Sequence, residues 1–281
     1  MRDGPRVWIL LTMVSVGTGW AQQAAHSRVP SNAEIHKILA DRIDIQKRGV
    51  GIVVGVIDPT GRRVVAHGSF GRDDDRPVTC DTLFEIGSIT KVFTALLLAD
   101  MVERGEAAFD DSLSKDLPEG TKAPERGGQS ITLEHLANHT SGLPRLPANM
   151  KLDDMSDPYA NYTSEHLFEF LSQHELRRDI GAKYEYSNLG AGLLGELLSR
   201  RAGISYEALV KQRISTPLGM GRTAITLSPE MKAQLATGHG NDLEPVANWT
   251  FQAIAGRARY APTSTTCSPS SPRISDTQAR R

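Results

Sequence analysis

Ser88 and Lys91 are three positions apart in the stretch FEIGSITKVFTALLLADM, at the head of an apolar segment. Residues i and i+3 of a helix share one face, so the Lys91 amine can reach the Ser88 hydroxyl. A serine hydroxyl is a weak nucleophile until a base takes its proton, and an uncharged lysine is such a base. The apolar residues that follow it, Val92, Phe93, Leu96 and Leu97, predict a buried Lys91, which favours the neutral amine. The pair therefore predicts a nucleophile with its base at a helix N-terminus, whose field also stabilises an oxyanion.

The same serine–lysine spacing occurs a second time, at Ser112 and Lys115 in DDSLSKDLP. Asp110, Asp111 and Asp116 surround this pair, and no apolar helix follows it. Neighbouring carboxylates favour the charged ammonium. We therefore expect Lys115 to stay protonated and solvated, and we predict that this second pair is not reactive.

A tyrosine two residues before an asparagine can complete such a site, because a further group must carry a proton to the leaving atom. The sequence has two candidates, Tyr159 with Asn161 in MSDPYANYTSEH and Tyr186 with Asn188 in IGAKYEYSNLGAGLLGELLSRRAG. The second lies between a glycine-marked turn and a long apolar helix, and such rigid flanks suit a preorganised site. A nearby lysine would also favour the phenolate of Tyr186. We therefore predict that Tyr186 and Asn188 belong to the site.

The elements that position these residues begin with a helix and a hairpin. Ser31 and Glu34 have the spacing of a helix-capping box, and apolar residues follow at helical spacing. Two β-rich runs then flank the stretch DPTG at 58–61, whose proline and glycine suit a turn. A helix, a hairpin and a further helix opening at Ser88 predict an α/β layer with an antiparallel sheet.

Helices predominate between about residues 105 and 225. Four segments there have apolar residues at helical spacing: ITLEHLANH, TSEHLFEFLSQH, LGAGLLGELLSRRAG and SYEALVKQRI. They predict a helical lobe inserted into the sheet layer. From Arg257 onward Arg, Ser, Thr and Pro dominate. This composition cannot bury enough surface to fold alone, so we expect residues 257–281 to be disordered.

Composition and charge limit the possible partners. The 281 residues suffice for one large domain or two intimate ones. A formal net charge of −1 gives no electrostatic case for nucleic acid or an anionic membrane. Residues 1–21 combine two arginines, an apolar run and small residues, a pattern typical of a secretory signal; the alternative is a buried N-terminal helix. The run is shorter than the roughly 20 residues of a membrane span. We expect a soluble periplasmic or secreted protein, and nothing indicates its oligomeric state.

The cysteines and histidines predict no metal site. Cys80 and Cys267 can pair in an oxidising compartment but form no zinc motif, and whether they pair is left open. His135 and His139 have a helical spacing, but no glutamate follows His135 as H-E-x-x-H requires, so we expect packing at a helix end. The sequence also has no G-x-S-x-G elbow and no glycine-rich nucleotide loop, which argues against an α/β-hydrolase and against nucleotide binding.

Three stretches in fixed order carry a family resemblance: FEIGSITKVFTALLLADMVERGE, ITLEHLANHTSGLP and YEYSNLGAGLLGELLSRRAG. They resemble the class C β-lactamase-related family of penicillin-recognising serine hydrolases, and QRISTPLGMGRT is similar to the segment that closes that family's helical lobe. The resemblance covers residues 31–256. It implies an α/β (α+β) fold with a mixed, largely antiparallel sheet flanked by helices and an inserted all-helical lobe. It implies no metal or organic cofactor.

The resemblance also implies a role for each matching residue. Ser88 matches the acylated nucleophile, and Lys91 matches the partner that activates it. Tyr186 matches the tyrosine that exchanges protons with the nucleophile and the leaving group, and Asn188 matches the asparagine that binds the substrate's side-chain amide. The implied activity is hydrolysis of a small-molecule β-lactam, D-Ala peptide or ester through an acyl-enzyme.

One element of the family pattern is missing from this sequence. The family has Lys or His, then Ser/Thr and Gly, on a strand near the C-terminus, and no such triplet follows Asn188. We expect the last sheet strands to be missing too, and residues 257–281 to reflect a frame change or early end near Gly256. That strand supplies one oxyanion donor, whose loss costs about 3–4 kcal/mol of transition-state stabilisation. The alternative function is therefore a truncated, catalytically weak or inactive binding protein of the same fold.

Overall fold

The computed structural model describes residues 29–59, 61–150, 157 and 159–249, together with the backbone of 261–262. The chain divides into two units, Met1–Pro30 and Ser31–Arg281, and every element named below belongs to the second. The secretory signal predicted at 1–21 and the second cysteine, Cys267, lie outside the described residues.

The described helices are α1 (Asn32–Ala40), α2 (Thr90–Glu103), α3 (Leu133–Ala137), α4 (Ser164–Gln173), α5 (Asn188–Ala202), α6 (Tyr206–Val210) and α7 (Pro229–Ala233). The described strands are β1 (Gly51–Asp58), β2 (Gly61–Gly71), β3 (Asp74–Pro77), β4 (Leu83–Phe84), β5 (Glu125–Arg126), β6 (Gln129–Ser130), β7 (Gly238–His239), β8 (Pro245–Val246) and β9 (Ala261–Pro262). Short 3-10 turns lie at Gly87–Ile89 and Leu113–Asp116, and π-helical turns lie at Asp41–Ile45 and Lys211–Ser215.

The predicted hairpin is confirmed as β1 and β2, which pair antiparallel from Gly51↔Gly68 to Asp58↔Gly61. β3 continues this sheet in the order β1-β2-β3, while β4-β9, β5-β6 and β7-β8 form separate antiparallel pairs. An isolated parallel bridge joins Leu83 to Leu235. The described strands are thus mixed but largely antiparallel and lie among helices, which confirms the predicted fold class.

The two backbones of the hairpin approach closely where β1 begins. Gly68 has φ +92°, and a Cβ built there would lie 2.1 Å from the Val50 carbonyl oxygen. A Cβ on Gly51 would lie 2.4 Å from the Ser69 carbonyl oxygen. Only glycine fits such contacts, so both glycines are required by packing.

The first helix starts as the sequence predicts. Ser31 Oγ accepts the Glu34 N–H at 3.3 Å, and the Ser31 N–H donates to the Glu34 carboxylate at 2.7 Å, which completes the capping box. Ile35 and Leu39 of α1 are buried against Val65 of β2. This small cluster attaches the helix to one face of the hairpin.

The largest hydrophobic cluster in the described chain lies among the helices, with α5 at its centre. α5 packs against α2, α3 and α6, and all its residues from Asn188 to Gly195 are buried. Small residues such as Gly192 let neighbouring helices come close, while Leu193 and Leu197 fill the space between them. The four predicted helical segments are confirmed as α3–α6, and the last of them continues as the π-helical turn.

The region predicted to be a disordered tail contains β9, whose backbone pairs with β4 through Phe84↔Ala261 and Leu83↔Pro262. The rest of 257–281 lies outside the described residues. Within the described part of the chain, every helix is too short or too polar to cross a bilayer.

Candidate active site

Ser88 lies in the 3-10 turn Gly87–Ile89, so the α-helix that carries Lys91 begins two residues later than Ser88, at Thr90. The turn is possible because Gly87 adopts φ +51°. About one turn after Lys91 in α2, Thr94 Oγ1 and the buried Tyr206 hydroxyl share a hydrogen bond of 2.8 Å. This buried contact fixes α2 and thereby the position of Lys91.

Three predicted site residues meet at the Ser88 hydroxyl. Lys91 Nζ donates to Ser88 Oγ at 3.1 Å, and the Tyr186 hydroxyl donates to the same oxygen at 2.6 Å. Lys91 Nζ also lies 4.8 Å from the centroid of the Tyr186 ring. The serine oxygen is therefore within proton-transfer distance of both an amine and a phenol.

The shielding of Lys91 differs from the sequence prediction. Of the four apolar neighbours, Val92 and Leu96 are 65% and 46% exposed and do not cover the amine, whereas Leu97 is buried and Phe93 is partly buried. Lys91 is nevertheless half-buried. Its cover comes from the Tyr186 ring, which arrives from a distant part of the chain.

Tyr186 is held by the residue that follows it. Ser187 is the N-cap of α5: its Oγ accepts the Gly190 N–H at 2.8 Å and donates to the Pro144 carbonyl at 2.6 Å. Ser187 is 1% exposed. Because the cap is buried and bonded twice, the phenol projects from a fixed point at the start of a buried helix.

Asn188 follows Ser187 in the sequence, but it is buried. The residue is 1% exposed, and its backbone N–H donates to the Arg145 carbonyl oxygen at 3.0 Å. Its Oδ1 is buried and has no hydrogen-bond donor among the described residues. In this conformation Asn188 is adjacent to the site in sequence but is not open to a substrate.

Two further residues, His139 and Arg145, lie near Tyr186, and the sequence does not predict their contacts with it. His139 Nδ1 accepts the Ser187 N–H at 3.1 Å, and its ring lies 4.8 Å from the Tyr186 ring. Burial, and then the Lys91 charge, lower the pKa of His139 below its ordinary value. The Arg145 guanidinium lies 5.2 Å from the Tyr186 ring and has no carboxylate partner among the described side chains.

The competing residues from the sequence have structural roles instead. The Lys115 ammonium pairs with Asp111 and is 60% exposed, while Ser112 Oγ bonds Ser114. Tyr159 is buried, with its ring 5.4 Å from that of Trp249.

The two histidines considered as metal ligands also have other partners. His135 Nδ1 bonds Thr132 in the capping box of α3, and His139 bonds Ser187 as described above. Among the described residues, no group of three or more His, Cys, Asp or Glu side chains is arranged to hold a metal ion.

Known proteins with a similar sequence include peptidases and lactamases. The chain is 32% identical over 197 residues to the D-alanyl-D-alanine-carboxypeptidase/endopeptidase AmpH of Escherichia coli K12, covering 70% of this chain and 50% of that protein. It is 31% identical over 210 residues to a beta-lactamase of the same strain, covering 74% of this chain and 52% of the relative. Penicillin-binding protein 4* of Bacillus subtilis is 31% identical over 202 residues, with 67% and 42% covered. The chain thus spans about half the length of the curated relatives it matches.

A solved structure has the same fold. It is the crystal structure of a beta-lactamase/D-alanine carboxypeptidase from Yersinia pestis complexed with citrate, with a TM-score of 0.70 and 28% sequence identity. The match covers 83% of this chain and 66% of that one. In addition, residues 35–265 match the family model described as Beta-lactamase. On this match, which extends over most of its length, the chain belongs to the beta-lactamase family.

Proposed function

We propose that this protein is a serine hydrolase that forms an acyl-enzyme on Ser88 with a small-molecule β-lactam, D-Ala peptide or ester. The observation that carries the proposal is the shared oxygen: Ser88 Oγ lies 3.1 Å from Lys91 Nζ and 2.6 Å from the Tyr186 hydroxyl. This arrangement of nucleophile, base and proton carrier suits acyl transfer. The proposed catalytic domain is residues 31–256, with a helical lobe at about 105–225.

In the proposed reaction, Ser88 Oγ attacks the substrate carbonyl while its proton passes to the uncharged amine of Lys91. The backbone N–H of Ser88 donates to the developing oxyanion. The bond from the carbonyl carbon to the leaving nitrogen or oxygen then breaks, Tyr186 gives its hydroxyl proton to that atom, and the proton held by Lys91 returns to Tyr186. Water hydrolyses the ester on Ser88, which restores the hydroxyl. Asn188 binds the substrate amide after its side chain turns from its buried position.

Among these three substrate classes, we propose that acyl donors with a carboxylate react best. Arg145 is exposed, its guanidinium lies 5.2 Å from the Tyr186 ring, and no described carboxylate neutralises it. An arginine can bind a carboxylate through two parallel hydrogen bonds. Penicillins and peptides that end in D-Ala carry such a carboxylate, whereas simple esters do not.

The proposal is tested by incubating the 281-residue chain with a fluorescent penicillin and locating the adduct by mass spectrometry. We expect one adduct, on Ser88, and no adduct on the Ser88→Ala variant. Ser112→Ala is the matched control, because Ser112 has the same spacing to a lysine, and this variant should label like the wild type. An adduct on another residue, or one that persists in Ser88→Ala, refutes the mechanism.

Binding without turnover is the second candidate function. It is favoured by the lack of a Lys/His-Ser/Thr-Gly triplet in the sequence after Asn188. The same incubation separates the two candidates when product release is followed by mass spectrometry. Acylation with repeated release of product supports the hydrolase, whereas a stable stoichiometric adduct supports a binding protein.

We also propose that the protein acts in the periplasm or outside the cell, with residues 1–21 removed as a secretory signal. The pattern of two arginines, an apolar run and a small residue at Ala21 supports this. The test is N-terminal sequencing of protein recovered from the periplasm or medium. We expect a mature chain that begins at Gln22, and a chain that keeps Met1 in the cytosolic fraction contradicts export.

A further inference from the structure

His139 bonds the backbone on both sides of Tyr186. Its carbonyl oxygen accepts the Glu185 N–H at 2.8 Å, and its ring nitrogen Nδ1 accepts the Ser187 N–H at 3.1 Å. The residue between these two contacts is the one whose hydroxyl reaches Ser88. A single side chain and its own backbone therefore fix the segment that presents the phenol.

The second of these contacts requires a particular protonation state. Nδ1 can accept an N–H only when it carries no proton, so His139 must be the neutral tautomer with hydrogen on Nε2. Its backbone is also unusual, since φ is +63°, in the left-handed region. Besides glycine, asparagine is the residue that adopts this conformation most readily.

The surroundings of His139 favour the neutral ring. Its ring lies 4.8 Å from the Tyr186 ring and 5.7 Å from the Tyr184 ring. Burial and the Lys91 charge both oppose protonation and lower the pKa of the ring. The charged and titratable groups around it, from all the segments packed there, are Lys91, Arg145, Glu185 with its partner Arg178, Tyr184 and Tyr186. Glu185, the acidic member, is already paired with Arg178.

We propose that His139 is a positioning residue for Tyr186, and that its protonation switches the site off at acidic pH. The neutral ring holds the Ser187 N–H and keeps the phenol against Ser88. A protonated ring has no acceptor for that N–H, so the segment 185–187 loses its anchor. This inference rests on the proposed function of Ser88 and adds a control of that same site.

The first test compares His139→Asn with His139→Ala in the labelling assay. The asparagine side chain keeps an acceptor near the position of Nδ1, suits the left-handed backbone and cannot be protonated. We therefore expect the His139→Asn variant to be acylated on Ser88 near the wild-type rate at about pH 7.5. The alanine side chain has no acceptor, and we expect His139→Ala to react about 10- to 100-fold more slowly because the phenol is misplaced. The apparent affinity for the penicillin should stay unchanged in both variants.

The pH profile separates positioning from a general loss of structure. When the logarithm of the wild-type acylation rate is plotted against pH, we expect the slope to increase by one unit at pH values below the titration of His139. The His139→Asn variant should lack this increase. His166→Asn is the matched control, because His166 Nδ1 also accepts a backbone N–H, that of Thr163, at 3.3 Å. Its profile should match the wild type. The proposal fails when His139→Asn behaves like His139→Ala, or when His139→Ala behaves like the wild type.

A second readout does not depend on catalysis. In nuclear magnetic resonance of the full chain with labelled histidine, we expect Nδ1 of His139 to be unprotonated at about pH 7.5. The Tyr186 ring signals, identified by comparison with Tyr186→Phe, should shift as His139 titrates. If the chain is never acylated but has an unprotonated His139 Nδ1 and Tyr186 signals that shift with the titration, the proposed function is refuted and the positioning role of His139 stands. A protonated Nδ1, or Tyr186 signals that ignore the titration, overturns the role of His139.

Discussion

Ser88 has the two contacts that a serine needs to react, and each comes from a different part of the chain. Lys91 is three positions away and is supplied by the helix itself, whereas Tyr186 is 98 positions away and is supplied by the start of α5. The phenol has two functions in this arrangement, since it bonds Ser88 and its ring shields the amine. A variant that lacks the Tyr186 hydroxyl but keeps the ring separates proton transfer from the shielding of Lys91.

Tyr186→Phe keeps the ring and removes the proton carrier. We expect acylation of Ser88 to slow by about 100-fold or more, which is the usual contribution of general acid–base catalysis. The measurement is the rate of fluorescent penicillin labelling under single-turnover conditions. Tyr184→Phe is the control, because Tyr184 is 60% exposed and lies near His139 rather than at Ser88. Equal rates in the two variants contradict a proton-transfer role for Tyr186.

Arg145→Ala tests the preference for a carboxylate. We expect the ratio of acylation rates for a penicillin and a neutral aryl ester to fall about tenfold, the effect of one charge-assisted hydrogen bond of about 1.5 kcal/mol. The main-chain contact of Arg145 with Asn188 is retained in this variant. Arg145→Lys keeps the charge and should recover part of the ratio. A ratio that does not change in either variant shows that Arg145 has no part in selectivity.

At the residue scale, the sequence identifies the side chains that occur in spaced motifs. Ser88, Lys91 and Tyr186 belong to short motifs with distinctive flanks, so their meeting is predictable. The role of His139 is not, because its partner Ser187 lies 48 positions away and the sequence gives no signal for its left-handed backbone. The stretch NHTSG is informative only as part of the family resemblance.

At the scale of elements, the hairpin shows how turn chemistry fixes a structure. The DPTG stretch sets the register, and this register brings Gly51 opposite Gly68. There the chains are so close that a side chain on Gly68 meets the Val50 carbonyl. The hairpin in turn supports α1 through Val65.

Gly68→Ala should therefore destabilise the fold strongly. The positive φ costs about 1–2 kcal/mol for any residue with a Cβ, and relief of the backbone overlap adds about 1–3 kcal/mol. The measurement is the free energy of unfolding from urea denaturation. Gly203→Ala is the matched control, because Gly203 has φ +69° but open space around its Cβ position. We expect Gly203→Ala to lower the free energy of unfolding only by the cost of the positive φ. An equal loss in both variants contradicts the packing explanation.

Boundaries and irregularities of elements are less predictable than their existence. The sequence predicts that the helix begins at Ser88, but a 3-10 turn precedes it because Gly87 takes a positive φ. The sequence also does not show which apolar neighbours of Lys91 are covered: Val92 and Leu96 lie on the open side of α2, whereas Leu97 is buried. Periodicity gives the spacing of an apolar stripe, but the packing partners decide which face is covered.

At the scale of the whole molecule, ion pairs connect the loop before α3 to the end of α5. Arg201 bonds Asp111 at 2.5 Å and Asp116 at 2.7 Å, and all three side chains are at most 15% exposed. The bonds from Lys115 and Arg201 hold the pKa of Asp111 well below its ordinary value. The sequence shows a charged stretch here, but it does not show that Arg201 crosses 90 positions to reach Asp111.

Asp111→Asn should destabilise the protein in a pH-dependent way. A carboxyl whose pKa is lowered on folding stabilises the fold above its unfolded pKa of about 3.9, and this stabilisation is lost as pH falls towards the folded pKa. We expect a loss of about 2 kcal/mol at pH 7 and a smaller difference from the wild type at about pH 3. The measurement is the free energy of unfolding of both proteins, from urea denaturation at each of the two pH values. Asp179→Asn is the control, since its ion pair with Arg126 is largely exposed and should contribute less than about 1 kcal/mol. A difference that is the same at both pH values contradicts the ionic explanation.

The enclosure of α5 has a consequence for laboratory evolution of this protein. Every position from Asn188 to Gly195 is surrounded by neighbouring helices. A randomised library there will mostly yield unfolded variants rather than new selectivities. Diversity placed at exposed positions close to Ser88 in the sequence, such as Ile89 and Val92, can alter what enters the site without disturbing the buried helix.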